Sequence, residues 1–442
     1  MKFRRTAFSN LPVLATLVLL AIAGQAGAAE NLTLDKALEL SRQANPLVMA
    51  AEARVRQEEG RLVQLKSDQL PQAYATLGYQ GLNEAPGTYA FALDGKTPIG
   101  IVPLGFEDTY QAAVNLTQVI YSGGSLTART ESGKLLVAAR KSELDRTIQS
   151  VENGVGKAYY VLQQALSRLE VAREALELSR EHLRQVDSFY RAGVIAQNEV
   201  LRVQVAVSSS TLDLIRAESA VKVAWKSLER IVGRTLEGQY AVARGDFALQ
   251  PFPLPGDPTA RALEQRPELK GLEAARKSAL MTVRAIKGQA LPQVGLAAQA
   301  YVADDSFFPS EEDGWSISVV ARFRLLDSGK LHGQAVEARA AAEELLHRME
   351  DMKRQIGLEV ETAAVTLDSA VQRVRVAQDA VVQAEEDYRM ALKRYQAQVG
   401  TNIDVLDARL ALTDAKNALA DSVAEARTAY GDLLYAMGDT RP

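Results

Sequence analysis

Residues 190–207 read YRAGVIAQNEVLRVQVAV, and residues 395–412 read YQAQVGTNIDVLDARLAL. Tyr, Ala, Val and Leu recur at matching places about 205 residues apart. Working outward, YSGGS from Tyr121 answers LDSGK from Leu326, and Leu228 and Gly233 answer Leu433 and Gly438 in the same register. An ungapped repeat of about 110 residues is an internal duplication. Farther upstream, NPLVMAAEAR from Asn45 resembles RPELKGLEAAR from Arg266, and QLPQ from Gln69 matches ALPQ from Ala290. The offset there is larger, so the first copy carries an insertion between Pro71 and Tyr121. Its segment 83–105, NEAPGTYAFALDGKTPIGIVPLG, is rich in Gly and Pro and reads as a loop.

Proline maps the helices. None of the 14 prolines lies between Pro103 and Pro251, or between Pro309 and Pro442. Proline removes a backbone donor and clashes with the preceding turn, so proline-free blocks rich in Ala, Leu, Glu, Arg and Gln predict long helices. In the first block Leu162, Leu169, Leu176, Leu183 and Tyr190 recur every seventh position, with Ala165, Ala172, Ser179 and Val186 between them. The second block has Leu367, Val374, Val381, Tyr388 and Tyr395 alongside Ala370, Ala377, Ala384 and Ala391. Large residues facing small ones at heptad spacing form a coiled-coil-like seam. A helix from Ser125 to Tyr190 would be roughly 100 Å long at 1.5 Å per residue.

Between each LPQ and the next long helix the period falls to two. Four strands are expected, over about 72–82, 108–120, 293–303 and 315–325. Ala73, Ala75, Leu77 and Tyr79 alternate with Tyr74, Thr76 and Gly78, and Trp315, Ile317, Val319, Ala321, Phe323 and Leu325 alternate with Ser316, Ser318, Val320, Arg322 and Arg324. About ten residues suffice to cross a bilayer at a tilt. Arg322 and Arg324 would be costly toward lipid, so their face should line a water-filled lumen. Four strands cannot close a barrel, and an open edge in lipid leaves backbone groups unpaired at several kcal/mol each. A membrane reading therefore requires several chains; two soluble hairpins are the competing one.

The chain has 442 residues, a formal net charge of −4, three His and no Cys. Without Cys there can be no disulfide, thiolate zinc site, cysteine nucleophile or lipoprotein anchor. His182, His332 and His347 are scattered without metal-ligand spacing, and no basic stretch points to nucleic acid. Residues 1–29 read as a cleaved signal peptide: MKFRR is basic, LPVLATLVLLAIA is apolar, and QAGAAE offers small residues for cleavage after Ala28 or Ala29.

These features together resemble the TolC family of outer-membrane efflux and secretion channels. The resemblance rests on two tandem copies of helix, two strands and a long helical hairpin, on the YSGGS and LDSGK junctions, and on the tip turns RAGVIAQNEVL and VGTNIDVLDA. It covers about residues 30–438. It implies an α+β, mostly α fold: a first repeat at 30–233 with its tip near 192–198, and a second at 259–438 with its tip near 397–403. The segment 234–258 is then an equatorial linker and 439–442 a short tail. Three chains would form a twelve-stranded outer-membrane β-barrel and a periplasmic α-barrel, docked by a periplasmic adaptor and an inner-membrane pump, proton-driven or ABC-type.

The resemblance also implies roles for residues. Asp404 and Asp407 match lumen acids near the constricted periplasmic end, although Asp404 also stands three after Thr401, as in a helix-capping box. Tyr395 matches a tip tyrosine that helps hold the closed state. The basic residue expected a few positions later is replaced by Gly400, leaving Arg394 and Arg191 as candidates for its part. Gly193, Val194, Ile195, Val399, Gly400 and Thr401 form the tips expected to contact the adaptor. No catalytic residue, metal or cofactor is implied. A periplasmic adaptor would need lipoyl-like and β-barrel domains that the sequence lacks, and a purely structural coiled coil would not need the four strands. The cargo is left open.

Overall fold

The computed structural model describes residues 30–91, 96, 98–105, 107–238, 240–242, 252, 256–307 and 313–439. The signal-peptide reading lies outside these residues, as does much of the linker reading. In chain order the elements are β1 (Glu30–Asn31), α1 (Leu34–Ala44), α2 (Pro46–Ser67), β2 (Gln72–Gly81), β3 (Gly87–Phe91), β4 (Pro98–Pro103), β5 (Asp108–Tyr121), α3 (Ser125–Arg191), α4 (Gln197–Val232), β6 (Tyr240–Ala241), α5 (Pro258–Gln265), α6 (Pro267–Gly288), β7 (Gln293–Asp304), β8 (Asp313–Arg322), α7 (Lys330–Gln396) and α8 (Asn402–Met437). The duplication is literal: α3 and α7 each have 67 residues, and α4 and α8 each have 36. Pro46 and Pro267 each open a helix, and the residues before them, Asn45 and Arg266, are extended, as proline requires of its predecessor.

The chain divides into two compact units. One comprises Met1–Asn45, Gly154–Gln250 and Ala370–Thr428. It holds α1, α4, the later parts of α3 and α7, and most of α8. The heptad seam is its core: Leu162, Leu169, Leu176, Val186, Ala370 and Val374 are all buried. Short β1 pairs in parallel with β6. The Tyr159 hydroxyl donates to the Leu32 carbonyl at 3.1 Å, and the Asn45 amide donates to Ile231 at the end of α4.

The other unit comprises Pro46–Asn153, Pro251–Ser369 and Ala429–Pro442. It contains a four-stranded sheet in the order β2-β5-β7-β8, antiparallel throughout. The two repeats meet where β5 pairs with β7. At the junction after β5, Gly123 has φ +63°, and a Cβ there would lie 2.2 Å from the Gly288 carbonyl oxygen, so only glycine permits this approach. The unit also buries charge. Arg266 is 2 % exposed; it donates to Glu268 at 2.6 Å and pairs with Glu359, while Arg146 donates to Glu268 at 2.7 Å and lies over the Tyr435 ring.

Two expectations need correction here. The segment 83–105 is not simply a loop: β3 and β4 pair antiparallel within it, with Tyr89 opposite Ile101. Alternating Tyr89/Phe91 and Ile99/Ile101 carry that pairing, and the surrounding Gly and Pro mask it. Strand β8 ends at Arg322, so Arg324 lies two residues beyond the strand expected to contain it. Its partner β7 begins at Gln293, just after Pro292, and a proline offers no N–H to extend the ladder. The chain instead turns so that the Asp327 carboxylate accepts from Gly329 and Leu331 at the start of α7.

Candidate functional site

The sheet is the first candidate. Its register sorts most of the side chains by face. Ala73, Ala75, Leu77 and Tyr79 stand opposite Leu116, Val114, Ala112 and Tyr110; Leu116, Val114 and Ala112 stand opposite Ala298, Ala300 and Val302; Leu296, Ala298 and Ala300 stand opposite Val319, Ile317 and Trp315. Successive side chains of a strand point to opposite faces, so these residues share one face. The other face carries Tyr74, Thr76, Gln111, Asn115, Thr117, Gln299, Ser316, Ser318 and Arg322. The apolar face is bare: Leu77 is 83 % exposed, Trp315 76 %, Ile317 64 % and Val319 64 %. Edge strands β2 and β8 have no further strand beside them among the described residues. Bare apolar side chains and open edges are what a soluble sheet avoids. No described helix is long and apolar enough to cross a membrane.

The helical tips are the second candidate, in the other unit. Each long helix ends in the same hydrogen-bonded turn. Gly193 N–H donates to the Tyr190 carbonyl and Val194 N–H to Phe189; Gln398 N–H donates to Tyr395 and Val399 N–H to Arg394. This paired arrangement needs a left-handed residue at the helix end, and Gly193 (φ +73°) and Gln398 (φ +59°) supply it. A side chain in that region costs about 1–2 kcal/mol. Gln398→Gly should therefore raise the stability of the second tip by about 1 kcal/mol, and Gly193→Ala should lower that of the first by a similar amount. Thermal unfolding of the two variants, followed by circular dichroism, would reveal shifts of opposite sign.

Beyond this shared turn the two tips differ. In the second, Thr401 and Asp404 form a reciprocal capping box: Thr401 N–H donates to the Asp404 carboxylate at 2.9 Å, and Asp404 N–H to the Thr401 hydroxyl at 3.2 Å. The bond from the Thr401 N–H, and then the Thr401 side chain, hold the Asp404 carboxyl below its ordinary range. The first tip has Ala196 in that place, with no side-chain cap. Asp404 and Asp407 are both exposed, on one helix face three residues apart. Val194 and Val399 are 48 % and 70 % exposed. Ile195, expected to be equally free, is half-buried against a core of Val186, Val200, Val203, Tyr395 and Val405.

Tyr395 is inside that core at 6 % exposure, its ring 5.2 Å from that of His182 and 5.7 Å from that of Phe189. Its hydroxyl has no hydrogen-bond partner among the described residues, so neither Arg394 nor Arg191 ties it within the chain. Arg191 pairs instead with Asp187 at 2.6 Å, and Arg394 is exposed. Sequence reading passed over the polar chain beside Tyr395. His182 Nε2 lies 2.6 Å from Asn402 Oδ1, and Asn402 Nδ2 donates to Glu199, to its carboxylate at 2.9 Å and its carbonyl at 3.3 Å. Two turns along α8, buried Arg409 donates to Ser210 at 3.0 Å, and Ser210 meets Ser179. The available signal was Ser179 and His182 in the same helical stripe as Leu183 and Val186. Among the described residues no cluster of His, Asp or Glu could hold a metal ion.

Comparison with known proteins agrees with this architecture. The family described as outer membrane efflux protein matches residues 37–234 and 259–439, one segment per repeat. The pyoverdine export outer membrane protein OpmQ of Pseudomonas aeruginosa is 23 % identical over 84 % of this chain and 77 % of its own length. The alkaline protease secretion protein AprF of the same organism is 23 % identical over 75 % of this chain and 70 % of its own. Among solved structures, the CmeC outer membrane channel of Campylobacter jejuni superposes with a TM-score of 0.77 at 17 % identity, covering 99 % of this chain and 94 % of that one. At that identity the likeness shows the fold.

Proposed function

The chain belongs to the outer membrane efflux protein family, and from that premise we propose that three copies form one passive conduit. In this reading the four strands of each chain complete a shared twelve-stranded barrel in the outer membrane, and the helical hairpins form a periplasmic tube. The observation that carries it is the sheet: one face apolar over its middle and left bare, one mainly polar face, and two open edges. Lipid accounts for the first, a water-filled lumen for the second, and neighbouring copies for the third. Arg322, on the polar face, lines the lumen.

A periplasmic adaptor docks at the tips, where Val194 and Val399 offer small apolar contacts beside Gly193, Gly400 and Thr401. In this reading an inner-membrane pump supplies the energy. The relatives named above are described by pyoverdine export and by alkaline protease secretion, so their cargo does not choose one for this chain. Within the tube Asp404 and Asp407 each form a ring of three carboxylates that concentrates cations. The capping role of Asp404 is compatible with this, because its bonds to Thr401 keep it ionised. In planar bilayers the Asp404→Ala/Asp407→Ala protein should lose much of its cation preference, seen as a reversal potential shifted toward zero in a salt gradient. An unchanged reversal potential would remove the rings from the lumen.

A further inference from the structure

Three buried polar atoms without a partner stand out in the tip unit: His182 Nδ1, Tyr395 Oη and Arg409 Nε. They surround the chain His182–Asn402–Glu199. His182 belongs to α3, Glu199 to α4 and Asn402 to α8, so this chain joins the first helical hairpin to the second. Its donors and acceptors can be assigned. Asn402 spends its amide N–H groups on Glu199, so its oxygen must accept from His182, and the imidazole is the neutral form protonated at Nε2. The Nδ1 lone pair then points into the protein with nothing opposite it.

A second proton could only be placed on Nδ1. There it would be buried with no acceptor, on a side chain that is 2 % exposed. The groups facing His182 offer little relief. From α7 come Tyr395 and, farther on, Tyr388, both neutral phenols whose ionisation burial disfavours. From α8 comes the guanidinium of Arg409, which makes no salt bridge among the described residues, is opposed only by the more distant charge of Asp213 on α4, and repels a second cation. From α4, the Glu199 carboxylate is engaged by Asn402. Burial, and then the charge of Arg409, hold the ring below its ordinary value, against the opposing pull of the Asn402 bond.

We propose that His182, Asn402 and Glu199 form an acid-released catch between the two hairpins, closed while His182 is neutral and released when a proton on Nδ1, buried without an acceptor beside Arg409, favours a conformation in which the ring is solvated. This rests on the channel reading above. Linkage sets the sign. A buried neutral histidine stabilises the clasped state fully above its ordinary value and loses that contribution as pH falls through it. If the freed ring regains a value of about 6.5, lowering pH from about 7.5 to 5.5 favours release about tenfold per chain. Periplasmic acid would then loosen the tip before or during adaptor docking.

The test uses the whole protein reconstituted in planar bilayers, recorded between pH 7.5 and 5.5. Open probability or conductance should rise on acidification by about tenfold or more, and His182→Gln, which keeps a neutral donor toward Asn402, should abolish most of that rise. A native channel with no pH response, or a His182→Gln channel with an unchanged one, would overturn the catch and leave the channel intact. Absence of any conductance from the native protein would overturn the channel reading and the catch with it. A second measurement needs no variant: hydrogen–deuterium exchange at the imidazole carbon, read by mass spectrometry in mild detergent. His182 should titrate below the ordinary histidine value. A midpoint at or above that value would overturn the proposal.

Discussion

Ile317→Arg should prevent the protein from assembling in the outer membrane, while Ser318→Arg, one residue along, should be tolerated. Ile317 sits near the middle of β8, paired with Ala298, on the apolar face. An arginine toward lipid at mid-depth costs about 2–4 kcal/mol. Three chains would each carry that cost around one ring, a total of about 6–12 kcal/mol. Ser318 pairs with Ala297 and faces the polar side, where Arg322 already stands. An arginine there would be hydrated by the lumen. The measurement is the amount of heat-modifiable oligomer in outer-membrane fractions for the two variants. Equal yields would mean that the two faces do not see different solvents.

Arg266→Ala should be among the most destabilising single changes outside the sheet. Its guanidinium is nearly fully buried, bonds Glu268 and Glu359, and forms one network with Arg146. Removing one partner of a buried pair leaves the other charges uncompensated, at about 3–5 kcal/mol. Arg266→Met combined with Glu359→Gln should recover much of the loss, because it leaves no stranded carboxylate at position 359. Denaturant unfolding in detergent of the native protein, the single variant and the double variant separates these outcomes. A single variant that unfolds with the native midpoint would show that the network contributes little to stability.

Much of the fold was legible because the chemistry of each element is local. Proline avoidance and the Leu–Ala heptads marked α3 and α7, and period two marked the four sheet strands within a few residues. Pairing could not be read. Nothing in residues 108–121 says that they hydrogen-bond to residues 293–304 of the other repeat, yet that ladder puts all four apolar stripes on one face. The β3–β4 hairpin escaped because Gly87, Gly100 and the nearby prolines give the composition of a loop, while the alternation of Tyr89, Phe91, Ile99 and Ile101 is short. Arg324 was placed in a strand by extending an alternation past the point where Pro292 removes the partner.

At the tips, the duplicated turns were visible, but their inequality was not. Equivalent positions hold Gly193 and Gln398, Ala196 and Thr401, Tyr190 and Tyr395. Two of the pairs differ in their surroundings: Tyr190 is 40 % exposed where Tyr395 is buried, and Thr401 caps its helix where Ala196 offers no side-chain cap. The His182–Asn402–Glu199 chain was invisible to spacing because its members come from three helices and both hairpins. A polar pair, Ser179 and His182, in an otherwise apolar stripe was the one trace it left.

The mass and location of the native complex bear most directly on the shared barrel. Outer and inner membranes would be separated, the protein extracted in mild detergent, and the protein component weighed by light scattering with the detergent subtracted. A species of three chains from the outer-membrane fraction is the expected result. A monomer, or a protein released in the soluble periplasmic fraction, would mean that the apolar sheet face is covered by something other than lipid and that the conduit does not form.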